Sequence, residues 1–205
     1  MILIIIGSCL SNSPVAASQL QNKKLAASNY TIYGLPLDQA RLTDFFSKLG
    51  PTIVFEDDTN PKVRCICYIS DRDETLVLVK SVNYRLTRYK LMSRKMRFYK
   101  WHFCEKSPLV SDNLSIQNGI KLGMHKARIK AIIGNPREET HSQLRYDYRW
   151  KENIGNHPAA EVNRNSEVPR NEPFRTVTVN IIAEFSDSKL VDLDIMIGSD
   201  TPGNP

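Results

Sequence analysis

The sequence predicts an α+β fold assembled twice: two units, over residues 30–110 and 114–198, each with one or two short helices packed on an antiparallel meander of about three strands. Three observations carry this expectation. First, Leu35–Phe46 can be laid over Leu122–Ile133. Leu35, Ala40 and Arg41 match Leu122, Ala127 and Arg128, while Leu37, Leu42, Phe45 and Phe46 face the apolar Met124, Ile129, Ile132 and Ile133. Second, Gly and then Pro follow each stretch, as Gly50-Pro51 after three extra residues and as Gly134-Asn135-Pro136 directly. Third, alternating apolar segments come after both helices, which is the strand period.

The elements follow in chain order. Ile2–Ile6 is an apolar run too short to span a bilayer, which takes ~20 residues. It reads as the core of an export signal over 1–17, although no Lys or Arg precedes it. Ile6-Gly7-Ser8-Cys9 matches a lipobox, with Cys9 as the lipidated residue, whereas Val15-Ala16-Ala17 fits ordinary cleavage after Ala17. A short apolar strand packed on the body is the third reading. Ser, Asn, Ala and Gln without apolar periodicity make 18–29 a tether. In each unit the i, i+3, i+4 apolar spacing marks one buried helical face, Gly supplies a left-handed cap and Pro blocks continuation. Asp38 is a good N-cap for the first helix, and His125 a poor one for the second.

In the first unit, Val63–Ser70 alternates with Val63, Cys65, Cys67 and Ile69 on one face. Asp71-Arg72-Asp73 makes a turn into Thr75–Val79, and Met96–Cys104 reads as the third strand. In the second unit, Gln143–Trp150 places Leu144, Tyr146, Tyr148 and Trp150 on one side; Arg175–Phe185 and Leu190–Ile197 follow, joined by a hairpin loop at Ser186–Lys189. Residues 151–173 form an inserted loop, either functional or disordered, and 199–205 a flexible tail. Tyr146, Tyr148 and Trp150 are either core or interface.

Composition excludes several classes. The 205 residues are 24% charged and 41% hydrophobic, unlike a disordered chain, a collagen or a multi-span membrane protein. The formal net charge of +6 comes from 28 Lys and Arg against 22 Asp and Glu. The basic residues cluster: Arg85, Arg88, Lys90, Arg94, Lys95, Arg97 and Lys100 occur without an acid between them, interleaved with aromatics and followed by Trp101. That pattern suits an anionic lipid surface or a nucleic acid, or else a solvated strand face over an aromatic core. Among the cysteines, Cys65 and Cys67 project in parallel from one strand, so Cys104 can pair with either; all three can equally be buried thiols. No two of His102, His125, His141 and His157 have metal-ligand spacing, and no P-loop, nucleophile elbow or dinucleotide fingerprint occurs. The sequence therefore predicts no cofactor, no metal, no small-molecule substrate and no catalytic set.

A resemblance adds to this reading. Ile120-Lys-Leu-Gly123-Met124, then Ala127, Ile129, Ile133-Gly134 and Pro136, then Leu144-Arg145-Tyr146, resembles the signature of the BamE-like (SmpA/OmlA) lipoprotein fold. The tandem order resembles the β-lactamase inhibitor protein. The resemblance implies a non-catalytic protein-binding or assembly module of the bacterial cell envelope. Such a module is lipid-anchored and faces the periplasm, or is secreted, with envelope proteins as partners. Two alternatives stand beside it: a secreted inhibitor of an envelope hydrolase, and a binder of anionic surfaces, lipid or nucleic acid, through Arg85–Lys100. An exported chain meets membranes rather than nucleic acid, so lipid is the expected surface.

Overall fold

Two turns of two residues organise the sheet. The computed structural model describes residues 30–37, 39–72, 74–93, 100–153 and 174–200. Its elements are β1 (Thr31–Ile32), β2 (Leu35–Pro36), α1 (Leu42–Leu49), β3 (Phe55–Glu56), β4 (Val63–Ile69), β5 (Thr75–Val82), β6 (Arg85–Ser93), a 3-10 turn at Trp101–Phe103, and β7 (Glu105–Lys106). Then come α2 (Lys126–Ile133), β8 (Glu138–Glu139), β9 (Gln143–Asn153), β10 (Phe174–Ser186) and β11 (Lys189–Asp200). Asn83 and Tyr84, both at positive φ, close the β5–β6 hairpin; Asp187 and Ser188, also at positive φ, close β10–β11. A left-handed pair matches the twist of the flanking strands. Both hairpins also carry an irregularity at the same place, between Lys80 and Ser81 and between Glu184 and Phe185.

These hairpins do not belong to two separate units. One nine-stranded sheet runs β3-β4-β5-β6-β11-β10-β9-β8, antiparallel throughout except that β7 joins β4 in parallel. Beside it lie two short helices and the β1–β2 ribbon. The expectation of two small α+β units is therefore corrected to a mostly-β molecule in which both hairpins belong to one nine-stranded sheet. The physical reason lies at β6 and β11, the last strand of each hairpin. Alone, each would leave a row of unpaired backbone groups at an edge. Paired over Arg88–Met92 and Asp192–Met196, they close that edge and bring Tyr89 and Leu91 against Ile195 and Leu193.

The core is correspondingly shared. One row of side chains crosses six strands as Ile66, Val79, Tyr89, Ile195, Ile181 and Tyr146; the next crosses as Tyr68, Val77, Leu91, Leu193, Ala183 and Leu144. All twelve are buried in one cluster, together with Leu42, Phe45 and Leu49 of α1, Ile129 of α2, and Tyr30, Ile32, Val110, Ile116 and Ile120. Read in opposite directions, the rows exchange Tyr68 for Tyr146, Val77 for Ile181 and Tyr89 for Leu193. The sheet therefore has a pseudo-twofold axis between Lys90 and Asp194.

The helices obey the same symmetry. Each spans the eight residues up to its glycine, Gly50 or Gly134, both at positive φ where a β-carbon would be strained. The Gly50 N–H donates to Phe46 O and the Gly134 N–H to Lys130 O. In each half a buried tyrosine then ties the helix end to the sheet: Tyr68 donates to Gly50 O at 2.6 Å and Tyr146 to Gly134 O at 3.3 Å. Aligning the glycines rather than Ala40-Arg41 makes the helices gap-free, so Arg41 corresponds to His125, and both are N-caps. The Asp44 carboxylate accepts the Arg41 N–H at 2.7 Å.

Two strand assignments also change. The third strand of the first half is β6, not Met96–Cys104, whose described part is the 3-10 turn and its exit. In β4, Ile66 and Tyr68 face the helices, whereas Cys65 and Cys67 face away into a second cluster with Leu76, Leu78 and Met92. Alternation alone could not choose the face, because both sides of β4 are buried. The N-cap expected at Asp38 is Arg41, and the expected loop 151–173 and tail 199–205 are corrected at their starts, since 151–153 continue β9 and 199–200 continue β11. Cys9, Asp38, the segments 1–17 and 18–29, and residues 94–99, 154–173 and 201–205 lie outside the described residues.

Candidate functional site

The helices, the β1–β2 ribbon and the 107–125 connection cover one face of the sheet. The opposite face divides at the pseudo-twofold axis. Over β4 and β5 it is covered. Phe55, Val63 and Cys104 pack on Cys65, Cys67, Leu76, Leu78 and Met92, and Cys67 is disulfide-bonded to Cys104. Phe103 stacks on Phe55 with ring centres 5.8 Å apart, and Lys100 lies over the same Phe55 ring. Over β11, β10 and β9 the face carries Asp194 and Met196, Thr178, Asn180, Ile182 and Glu184, and Arg145, Asp147 and Arg149. Met196, Arg145 and Arg149 are exposed, and Ile182, Asn180 and Glu184 are half-buried.

Charge is ordered across this face. Basic Lys80, Arg88 and Lys90 stand on β5 and β6; acidic Asp192, Asp194 and Glu184 stand on β11 and β10. Diagonal pairs stitch the junction. Arg88 holds Asp194 through Nε and Nη2, and Lys90 Nζ lies 2.9 Å from Asp192 Oδ2. Asp194 raises the already high Arg88 pKa further, chiefly through that hydrogen bond. Lys80 holds Asp57, whose carboxyl sits well below the usual carboxylate range, first because of that Lys80 hydrogen bond. Asp192 is different. It is 1% exposed, neither oxygen accepts a hydrogen bond of good geometry, and burial pushes its pKa up to about 6 against the pull of Lys90. Towards the outer edge, Asp147 pairs with Arg137 at 3.0 Å and with Arg145 at 3.5 Å.

Two concavities adjoin the face. One of about 290 Å³ is lined by Phe55, Asp57, Cys65, Lys80, Arg88 and Lys100, with each cation already paired to a carboxylate. The Cys65 thiol on its wall is pushed up to about 11, mainly by burial, so it is a poor nucleophile. The other, of about 600 Å³, lies at the end of the sheet between Glu74, Leu122, Gly123, Lys189, Leu190 and Val191. Neither gathers a nucleophile with a base and its orienting partner. Among the described residues no group of three or more His, Cys, Asp or Glu is placed to hold a metal ion.

The sequence-predicted residues scatter. Of the basic run, Arg88, Lys90 and Lys100 are ion-paired with Asp194, Asp192 and Asp58. Arg85 is exposed beside the hairpin turn and Trp101 is 58% exposed, while Arg94, Lys95 and Arg97 lie outside the described residues. The described part of the run is therefore a junction more than an open basic patch. Tyr146 belongs to the core at 1% exposure, and Tyr148 and Trp150 are half-buried at the sheet margin. Of the two partners left open for Cys104, the structure joins it to Cys67, and Cys65 is free.

The acids that complete the junction went unread. Arg85-Leu-Thr-Arg-Tyr-Lys-Leu-Met92 and Lys189-Leu-Val-Asp-Leu-Asp-Ile-Met196 align without a gap, with the sign of two charges inverted. That alignment is the signal that could have found it. No protein-family model, curated protein or solved structure matches this chain.

Proposed function

We propose that this chain is a non-catalytic binding module of the bacterial cell envelope that docks a folded protein on the face of β11, β10 and β9 opposite the helices. The carrying observation is the asymmetry of that face: one half is sealed by a disulfide-tied cover, and no described residue outside the sheet packs on the other. Ile182 and Met196 lie on one diagonal there, with Asn180, Glu184, Asp194, Arg145 and Asp147 at the surrounding positions. Apolar centre, polar rim and charges of both signs are the makings of a protein interface. The disulfide and the signal-like terminus are consistent with an oxidising compartment outside the cytoplasm, and no helix among the described residues is long and apolar enough to cross a membrane. The resemblance of 120–146 to the BamE-like signature points the same way. Inhibition of an envelope hydrolase would use the same face and differ only in the partner. The anionic-surface reading is less favoured, because three cations of the basic run are matched by carboxylates.

The test is a photo-crosslinking residue at Ile182 or Met196 in the full chain, expressed in its host, with Thr43 and Ala131 on the helices as controls. A discrete adduct from the two sheet positions alone is expected, in an envelope fraction. Equal labelling from all four positions, or recovery of the chain in the cytoplasm with Cys67 and Cys104 reduced, would overturn the proposal.

A further inference from the structure

The geometry points to the outer edge of β9 as the place where a second copy of this chain adds, strand against strand. The two outer strands of the sheet are finished differently. β4 is closed: β3 pairs with Arg64 and Cys65, β7 pairs with Tyr68 and Ile69, and the Cys67–Cys104 disulfide ties the segment leading into β7 to the strand. β9, its counterpart across the pseudo-twofold axis, is paired by β8 only at Leu144 and Arg145. Among the described residues no strand lies along its outer side from Tyr146 to Asn153.

The backbone there is oriented for pairing. Gln143 O accepts the Thr140 N–H and Arg145 O accepts the Arg137 N–H, so these residues turn their peptide groups outward. Alternation carries that orientation on to Asp147, Arg149 and Lys151. Such an edge is a template for another strand.

The side chains select the occupant. Antiparallel pairing of β9 with itself about Tyr148 sets Asp147, which also holds Arg137 and Arg145 of its own chain, opposite the second copy's Arg149, twice over by symmetry. It also sets Tyr146 opposite the second copy's Trp150, and Tyr148 against itself. Opposite charges and aromatic pairs at facing positions are what stabilise neighbouring strands. Tyr148 and Trp150, half-buried at the margin, would be buried further. β8 blocks the edge at Arg145, which limits the pairing to Tyr146–Tyr148–Trp150 and the two residues between them. The result is a closed, isologous dimer with a sheet continuous through both copies. This inference rests on the backbone edge of β9 and does not need the docking proposal, although the Asp147 and Arg149 side chains lie on the same face of the sheet.

The test is sedimentation of the full chain across a concentration series, with circular dichroism confirming the fold of each variant. Wild type should reach twice the monomer mass. Arg149→Asp places like charges opposite each other twice and should weaken the dimer about tenfold, and Asp147→Arg in the same chain should restore most of it, less the loss of the Asp147 pairs with Arg137 and Arg145. Arg149→Pro removes an outward N–H that an edge strand can spare and should give a monomer; if it does not fold, the charge pair still decides. Wild type that stays monomeric, or a dimer indifferent to Arg149→Asp and not recovered by the double variant, overturns the inference. So does a monomer whose β9 edge accepts only a foreign peptide.

Discussion

Replacing Asp192 by Asn should make this protein more stable at neutral pH. Asp192 is 1% exposed beside Asp194 and Glu184, with Lys90 Nζ at 2.9 Å as its compensation. Its pKa rises from 3.8 to about 6, mainly through burial, so the charged carboxylate is disfavoured in the folded state. A rise of that size corresponds to about 3 kcal/mol between the charged and neutral forms. The sign follows from proton binding. As pH falls from above 6 towards the unfolded value, the native chain takes up the proton first, so stability increases through that window and is complete below it. Asp57, held low by Lys80, remains charged in both states there and contributes no slope until the ordinary carboxylate range is reached. The variant removes the buried charge and frees Lys90, which is 25% exposed and reaches water. Urea unfolding with the disulfide intact should show Asp192→Asn more stable by about 1–3 kcal/mol at pH 7.5, with the difference shrinking as pH falls and closing only below about pH 3.8. A variant less stable than wild type at pH 7.5, or a wild type that loses stability between pH 7.5 and 5, would refute the reasoning.

Two further outcomes can be measured in the same way. Cys67→Ser with Cys104→Ser opens a link between residues 37 apart and should cost about 3–4 kcal/mol, with faster amide exchange over 100–106 as the readout. Tyr68→Phe should cost about 1 kcal/mol by orphaning the Gly50 carbonyl, and Tyr146→Phe less, because its bond to Gly134 is 3.3 Å rather than 2.6 Å; thermal unfolding compares them.

How much of this was legible depends on distance along the chain. The helix stops at Gly50 and Gly134, the turn at Asp187-Ser188 and the strands around Tyr146, Val179 and Ile195 follow from local chemistry, and the structure places them where that chemistry predicts. The duplication was visible too, but the match of Ala40-Arg41 to Ala127-Arg128 drew the alignment out of step with the glycines. What could not be read locally was the partner of each strand. Arg88 and Lys90 look like a solvated basic face until Asp192 and Asp194, far along the chain, are set beside them. Cys65 and Cys67 look like the core side of β4, since nothing nearby reveals that Tyr68 reaches Gly50 on the other face. The missing quantity is non-local: which edges meet, and hence which charges are neutralised.

The inverted charges explain why the two hairpins join and do not stand apart. A β6 edge presenting Arg88 and Lys90 would meet like charges in a second β6, and a β11 edge would meet Asp192 and Asp194; only β6 against β11 satisfies both. The pairing should therefore depend on relative sign and not on which strand carries it. Arg88→Asp with Lys90→Asp puts four acids at the junction, around an Asp192 that is already costly, and should remove several kcal/mol of stability. Adding Asp192→Lys and Asp194→Arg to the same chain restores opposite signs at every diagonal and should recover most of that loss. Urea unfolding of wild type, the half-reversed chain and the fully reversed chain measures the coupling. If full reversal is no more stable than half reversal, the β6–β11 contact is held by Tyr89, Leu91, Leu193 and Ile195 alone, and the charges play no part in choosing the partner strand.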